Sequence, residues 1–423
     1  MNTLPDNHVS PLPLARWDVA IVGGGLVGAS LACALAPLGL RVALLEAVPL
    51  RAAGQPSYDD RTLALSGSSC RILQGLGIWP ALGANATAIR EIRVTERNRP
   101  GQVVMKPQEL GLENFGHVVE ARVFGAAVLE LLSGMGGVEL ICLAKVTAIE
   151  TTQESVRIAF QRDGQEHGLQ ARLLVGADGA ESVVRTALGI TAERHDYGQT
   201  AIVCNVTPEK AHLGCAYECF TPTGPFALMP HVNGRCGLVW SVASEDAARH
   251  MEMPEQHFLQ HAHDMFGNAL GPWLKLGKRS AYPLRLVRAT VDTGLRSLLL
   301  GNAAHAIHPV GAQGFNLGLR DVAVLAEVLA DALAQNPAAD IGAAALLQSY
   351  SNWRAPDQAG TIGYSDGLAR LYANPSALAG IARGFGMLAH ALVPPLRRQL
   401  AIRAMGYRGR VPRLALGESL VSR

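Results

Sequence analysis

Residues 17–46 read WDVAIVGGGLVGASLACALAPLGLRVALLE. The run 17–22 is short, apolar and β-branched, the composition of a buried parallel strand. It feeds into Gly23-Gly24-Gly25-Leu26-Val27-Gly28, a G-x-G-x-x-G pattern. Small and apolar residues then recur at helical spacing through Leu38, Gly39 ends that helix, and 41–45 form a second strand ending on Glu46. Gly23 permits a tight turn, Gly25 lets the backbone approach a pyrophosphate, and Gly28 lets helix pack on strand. The helix start supplies N–H donors and positive partial charge for phosphates, and Glu46 is placed to accept from a ribose hydroxyl. Strand, turn, helix, strand and terminal acid predict a doubly wound, Rossmann-like α/β fold. The bland alternative is a Gly-rich turn with no ligand.

Residues 297–321, SLLLGNAAHAIHPVGAQGFNLGLRD, supply a second end. An apolar strand stops at Gly301-Asn302, where α/β sheets present polar groups to ligands. After His308-Pro309, a Gly-punctuated turn opens a helix at about Asn316 and aims N–H groups at something electron-rich. The two motifs read as the two ends of one long cofactor, which points to FAD. Between them, residues 173–189 (LLVGADGAESVVRTALG) carry a strand into Gly176-Ala177-Asp178-Gly179, a helix start and Arg185. An Asp in that position is also a common helix cap or turn residue.

At 423 residues the chain exceeds one ordinary core. A net charge of +2 gives no pull toward nucleic acid, and 49% hydrophobic content suits a large core, an apolar ligand or a lipid-facing surface. The seven cysteines (33, 70, 142, 204, 215, 219 and 236) form no CxxC pair. Nothing completes a zinc pattern around Cys215 and Cys219, so reduced, mostly buried thiols and no metal are expected. Residues 1–17 lack a basic region followed by an apolar core, so no signal peptide is expected. Residues 19–40 are uncharged and long enough for a membrane span, but five glycines and a proline argue against one.

Residues 86–114 and 195–284 alternate, as in Ile89-Arg90-Glu91-Ile92-Arg93-Val94 and Arg235-Cys236-Gly237-Leu238-Val239-Trp240. They predict antiparallel strands with one covered face, interrupted by a helical insert near 254–268. The expected organisation is a discontinuous FAD-binding domain (15–85, 115–192 and 285–337), an inserted antiparallel-sheet substrate domain (86–114 and 193–284) and a helical C-terminal region (338–423). Between Asp366 and Glu418 lie eight arginines and no acid, interleaved with apolar residues such as Phe385-Gly386-Met387-Leu388. Such a tail suits a membrane surface or an acidic partner, or else packs on its own domain with solvated arginines.

With Gly23 to Gly28, Asp178-Gly179 and Gly301-Asn302 in this order, the chain resembles the class A flavoprotein aromatic hydroxylases. Asp60-Arg61-Thr62-Leu63-Ala64-Leu65, Gly277-Lys278-Arg279-Ser280-Ala281-Tyr282-Pro283-Leu284, residues 308–321, and Thr361-Ile362-Gly363 with Asp366 narrow the resemblance to the ubiquinone-biosynthesis hydroxylases. The Gly-Asn form followed by HP and QGFNLG is most similar to members acting on 2-polyprenyl-6-methoxyphenol. The resemblance covers the chain from about residue 17 to about residue 410.

It implies tightly held FAD, transient NAD(P)H and O2 as co-substrate, with a flavin hydroperoxide hydroxylating the ring para to its OH. Gly23, Gly25, Leu26, Val27, Gly28 and Glu46 would hold the ADP half, and Arg61, Arg122 and Val146 would contact the cofactor. Asp178 matches a position associated with both FAD and the nicotinamide. Asn302 would bond the ribityl chain, although most of the wider class has Asp there. Pro309, Gly311, Gln313, Gly314, Phe315 and Asn316 would face the flavin ring, with the helix start stabilising charge on the reduced flavin. His305 stands where the nearest relatives have Gln and is assigned no catalytic role. His231 and His308 are candidates by residue type alone to help deprotonate the phenol, and a hydrogen-bonded structural role suits either. Residues 222–230 would line the ring pocket. The resemblance further implies a polyprenylated phenol substrate, a cytoplasmic protein attached peripherally to the inner membrane, and other ubiquinone-biosynthesis proteins as partners. The oligomeric state stays open. The rival readings are a hydroxylase acting at another ring position or on another phenol, a prenyl-binding protein without chemistry, and a plain nicotinamide dehydrogenase.

Overall fold

The computed structural model describes residues 15–49, 59, 61–99, 101–374 and 376–421. Residues 1–14, on which the signal-peptide expectation rests, and Asp60 of the Asp60-Arg61 motif lie outside the described residues.

The strand Ala15–Val22 lies parallel between Gln165–Gly176 and Val42–Glu46. The parallel set continues to Ser297–Leu299 on one side and Val138–Cys142 on the other. Val19, Ile21, Leu44 and Val175 face a core shared with the helices Leu26–Leu35 and Gln313–Gln335. Ala20, Val22, Leu45 and Leu174 face a second core, closed by the antiparallel strands Lys145–Thr151 and Val156–Arg162. Cover on both faces is why these strands are apolar throughout rather than alternating. The helix expected to reach Leu38 runs Leu26–Leu35, tightens into a 3-10 turn at Ala36–Leu38, and stops at Gly39 with φ of 76°. A Cβ on Gly28 would overlap the carbonyl oxygen of Gly23, so helix and strand meet there backbone to backbone. Among the described residues no helix is long and apolar enough to cross a membrane.

The second sheet runs in the order His305–Ala306, Ser280–Ala289, Ala192–Pro208, Cys236–Ala243, Gly224–Pro230, Cys215–Thr221, Glu91–Glu96, Gln102–Met105, with Trp273–Leu276 also paired to Ala192–Pro208. Its neighbours are antiparallel except Cys215–Thr221 and Glu91–Glu96, which are parallel because the latter arrives from a distant part of the chain. One face packs Phe226 and Trp240 against Phe258 of the helix Glu255–Phe266. The expectation of a single covered face is corrected at this sheet's far end, where Ala216 packs with Ala401 and Met405 from the C-terminal helices. Strand Ser280–Ala289 runs across residue 284 as one element, and His305–Ala306 returns to pair with it. A small third sheet, Thr62–Ser66 with Gly116–Glu120 and Thr87–Ala88, sits between the two.

The C-terminal region is helical: Ala344–Ala373, Ala377–Leu392, Pro394–Ala404 and Arg413–Leu416. A buried ionic network joins it to the helix Gln313–Gln335 and, through His305, to the edge of the second sheet. Asp321 accepts from Arg354 Nε at 2.7 Å and lies 2.6 Å from His305 Nε2. Asp357 accepts from Arg354 at 2.8 Å and from Arg320 at 2.7 Å. Burial alone would raise the Asp321 carboxyl, but His305 and Arg354 offset it and hold the group well below the usual carboxylate range.

Removing the shared cation should be costly, because it takes one partner from each of two buried carboxylates and leaves each with a single remaining basic partner, His305 for Asp321 and Arg320 for Asp357. Arg354→Met is expected to destabilise the protein by about 3–5 kcal/mol in denaturant unfolding. A loss below about 1 kcal/mol would show that the network does not hold the helices together.

Candidate functional site

At the nucleotide end, the helix Leu26–Leu35 starts on Gly25 with no side chain capping its N–H groups. Glu46 stands beside the turn because its strand is the parallel neighbour of Ala15–Val22. Its Oε2 accepts from Gly24 N–H at 2.7 Å and its Oε1 from Val48 N–H at 3.1 Å. Val27 joins this turn to the motif at 301: a Cβ on Gly301 would come within 3.0 Å of it and one on Gly318 within 2.8 Å. Leu26 packs on the first core. Val146 is buried in the second core with Leu45, and Ala144 N–H donates to Glu46 O at 2.9 Å just before it.

Asp178 is held in a cap. Its Oδ1 accepts the Ser182 hydroxyl at 2.5 Å, and its Oδ2 accepts the Val183 and Val184 N–H groups at 2.7 and 3.1 Å. Arg185, buried, donates to Ala303 O at 2.8 Å and Ala180 O at 2.7 Å, so it clamps the Asp178 turn to the Gly301 turn. Asn302 is exposed at the carboxyl end of the parallel sheet. Arg61 and Arg122 sit together at the small sheet. Arg61 Nε donates to Asp59 at 2.7 Å and its guanidinium lies over the Tyr282 ring at 4.9 Å, while Arg122 pairs with Glu120 at 2.6 Å.

The turn after Pro309 departs from ordinary backbone, with Gly311 at φ 67° and Ala312 at φ 53°. The helix expected at about Asn316 begins at Gln313. Asn316 holds the turn in place. Its Oδ1 accepts from Ser66 N–H at 2.9 Å, and its Nδ2 donates to Ala64 O and Ala312 O, both at 2.8 Å. Gln313 donates to Gly311 O at 3.1 Å. Phe315 turns away to meet Phe124 edge-on at 5.2 Å. Gly314 has no close neighbour for an added Cβ, the nearest atom being Ile307 Cγ1 at 3.7 Å.

Gly311, Ala312, Gln313 and Asn316 form one end of a cavity of about 370 Å³. Its floor is the sheet face carrying Ile92, Val94, Ala216 and Phe220, and its roof is the three long C-terminal helices. Residues 222–230, expected to line this pocket, contribute Met229; the rest of that strand lies between two neighbours in the sheet.

Neither candidate histidine lines the cavity. His308 is fully buried, with Nδ1 accepting from Val310 N–H at 3.2 Å and Nε2 facing Gln199 Oε1 at 3.1 Å. Those partners define a neutral ring with its proton on Nε2. Burial pushes its pKa down to about 4. His231 is buried 3.5 Å from Glu120 and 3.3 Å from Arg235, and burial lowers its pKa too. Glu218, which the motifs did not single out, lines the cavity. The signal available was a lone acid between Ala216 and Phe220 on an otherwise apolar strand face.

Comparison with known proteins agrees with this architecture. Residues 16–362 match the family described as FAD binding domain. The ubiquinone hydroxylase UbiL of Rhodospirillum rubrum is 40% identical over 92% of this chain and 89% of its own. The 3-demethoxyubiquinol 3-hydroxylase of Escherichia coli is 33% identical over 74% of this chain and 80% of its own. Among solved structures, the p-nitrophenol 4-monooxygenase PnpA of Pseudomonas putida superposes with a TM-score of 0.76 at 20% identity, covering 94% of this chain and all of that one, a likeness of fold.

His308 makes stability pH-dependent. Its folded pKa of about 4 lies below the unfolded value near 6.5, so the unfolded chain binds the extra proton first. Its contribution is complete above pH 6.5 and is lost as pH falls toward 4. Relative to His308→Gln, the wild type is expected to lose about 3 kcal/mol across that window in denaturant melts at stepped pH. A difference between the two that does not change with pH would refute a neutral buried ring.

Proposed function

The chain belongs to the FAD-dependent monooxygenases of ubiquinone biosynthesis, and from that premise we propose that it hydroxylates 2-polyprenyl-6-methoxyphenol para to its hydroxyl, giving 2-polyprenyl-6-methoxy-1,4-benzoquinol. The observation that carries this reading is the long apolar cavity, which begins at the turn 311–316 and runs under the C-terminal helices. A ring at the turn and a prenyl tail along the channel would fill it.

The residues fit FAD by the chemistry of their donors. Uncapped N–H groups after Gly25 suit the pyrophosphate, the Glu46 carboxylate suits a ribose and the exposed Asn302 amide suits the ribityl chain. When bound, FAD supplies the redox chemistry, taking a hydride from NAD(P)H and delivering one oxygen atom of O2 to the ring. We assign Gly23, Gly25, Leu26, Val27, Gly28 and Glu46 to its ADP half, and Arg61, Arg122, Val146 and Asp178 to further contacts. For Asp178 the contact would come through the turn that it caps. The turn from Pro309 to Asn316, including Gly311, Gln313 and Gly314, would face the ring, with Phe315 contributing only its backbone because its side chain packs on Phe124. Asn316 keeps that turn rigid from strand Thr62–Ser66, and the apolar cavity walls exclude water.

The match to a 3-hydroxylase supports a second reading, in which another ring carbon is attacked. Both cases share the same cofactor residues, so only product chemistry separates them.

We also propose peripheral binding to the membrane that holds the substrate. Along the helix Ala377–Leu392, Leu378, Ile381, Phe385, Leu388 and Leu392 recur on one face at 52–80% exposure, while Met387 on another face lines the cavity. This apolar stripe, with Arg398 exposed nearby, suits an interfacial helix delivering a prenylated ligand to the channel. Arg397 is engaged instead by Glu109 at 2.9 Å, and Arg403 lines the cavity, so the stripe itself is the cleaner target.

Purified protein with NADPH, a short-chain 2-prenyl-6-methoxyphenol and labelled O2 is expected to yield one labelled oxygen para to the phenol by mass spectrometry. Label at another carbon would favour the second reading, and yellow protein that forms peroxide but no product would overturn this substrate. Phe385→Asp with Leu388→Asp is expected to release the protein from sedimented anionic vesicles without loss of flavin. Unchanged sedimentation would count against the stripe.

A further inference from the structure

Glu218 sits on the strand Cys215–Thr221 in register with Val94 and Ala227, with Ala216 and Phe220 on the same face. An acid in such surroundings costs free energy unless something hydrogen-bonds it. Its Oε1 is buried and has no hydrogen-bond partner among the described residues, yet the residue lines the cavity. Phe220, two residues along the strand or about 7 Å, packs with Val310 at the edge of the Gly311 turn and stacks on Tyr372 at 3.5 Å. The carboxyl therefore lies near the end of the cavity where the ring would sit.

We propose that Glu218 is the catalytic group that accepts the substrate's phenolic proton. This rests on the phenol reading of the cavity above. The proton passes from the phenol O–H to the Glu218 carboxylate, and the O–H bonding pair stays on the ring oxygen, enriching the ortho and para carbons. After an oxygen atom has been added there, Glu218 returns its proton to the ring oxygen and the hydrogen at the hydroxylated carbon leaves to water, restoring both aromaticity and the carboxylate.

The acidity of the group suits the task. An ordinary Glu near 4.3 lies about six units below a phenol near 10. Burial pushes Glu218 up to about 7, which halves the gap while keeping much of it ionised at neutral pH. The substrate hydroxyl would also supply the partner that Oε1 lacks.

Other charged or titratable groups face the same space. The helix Ala344–Ala373 brings Asp357, Tyr364 and Tyr372, the helix Ala377–Leu392 brings Arg383 and His390, and Arg403 and Arg408 follow. From the floor, Glu96 is paired with Arg383 at 2.9 Å. Burial first, then the Glu218 charge, pushes Tyr364 up to about 12, so Tyr364 stays protonated near neutrality. Asp357 is committed to Arg320 and Arg354. His390, whose Nδ1 faces Gly386 O at 2.8 Å, is the one histidine lining the cavity among the described residues.

The test compares wild type, Glu218→Gln, Glu218→Asp and His390→Gln, each first shown to carry equal flavin. For wild type, kcat/KM for hydroxylation should rise with pH through about 7. Glu218→Gln should lower kcat at least 100-fold, weaken binding of the phenol about tenfold and show no such inflection, and Glu218→Asp should restore the inflection at a reduced rate. A second readout needs no turnover: wild type should bind the phenol at least tenfold more tightly than its O-methyl ether, and Glu218→Gln should lose that preference. Glu218→Gln active within threefold, an inflection that vanishes only in His390→Gln, or an intact phenol preference in Glu218→Gln would each overturn the assignment. If wild type binds the phenol selectively through Glu218 but does not hydroxylate it, the proposed substrate fails while the recognition role of Glu218 stands.

Discussion

The carboxylate of Asp321 joins the Gly301 turn, the short strand His305–Ala306 and the helix Ala344–Ala373. It lies 2.6 Å from His305 at the sheet-to-sheet crossing, accepts from Arg354 of the helix Ala344–Ala373, and faces the Gly301 N–H at 3.4 Å. Through Arg354 it is tied to Asp357, and through Asp357 to Arg320 of its own helix. Taking charges out of water is expensive, so such a network stabilises only when every partner is in place. That condition makes it a positional constraint: the turn that would face the flavin and the helix that roofs the cavity are set against each other by the same carboxylate. His305 has a structural part here, which suits its lack of any assigned chemistry.

Two further links carry that constraint into the site. Asn316 bonds the strand Thr62–Ser66 on one side and the Ala312 carbonyl on the other, so the strained backbone at Gly311 and Ala312 is held by neighbours on both flanks. Arg185 couples the Asp178 turn to the Gly301 turn through two carbonyls. Nucleotide end, middle turn and ring end are therefore mechanically continuous, and the cavity opens from the ring end between a sheet face and C-terminal helices, the first of which, Ala344–Ala373, also packs Leu347 and Tyr350 into the core of the parallel sheet.

The cavity itself arises from a mismatch of surfaces. The second sheet is sealed on one face by aromatic packing of Phe226, Trp240 and Phe258. On the other face, the strands from 91–105 and 215–221 meet helices arriving from the end of the chain, and the two surfaces close around a space instead of interdigitating. Two carboxyls line it, and because Asp357 is committed to Arg320 and Arg354, Glu218 stands out as the one with an oxygen that has no partner among the described residues.

The parallel sheet, its Gly-rich turn, the Glu46 terminus and the two later turns were legible in the sequence; that antiparallel strands rather than helices close its second face was not. Their signals are local: β-branched runs, glycines where φ or close approach demands them, and polar residues at strand ends. The helix stop at Gly39 and the strand ending at Gly301 follow from the same short-range rules. What His308, Asn316 and Glu218 touch was decided only by the tertiary structure, whereas the cap at Asp178 is local and is one of the two readings its position offers. Asp178 resolves as a cap, His308 as a neutral turn anchor, and Asn316 as a bridge to residues 64 and 66. The line of apolar residues at Leu378, Phe385 and Leu392 is visible as a period, but which face is covered depends on packing against elements hundreds of positions earlier. A side chain's type is written in the chain, whereas its burial, partners and acidity belong to contacts between segments that no local pattern encodes.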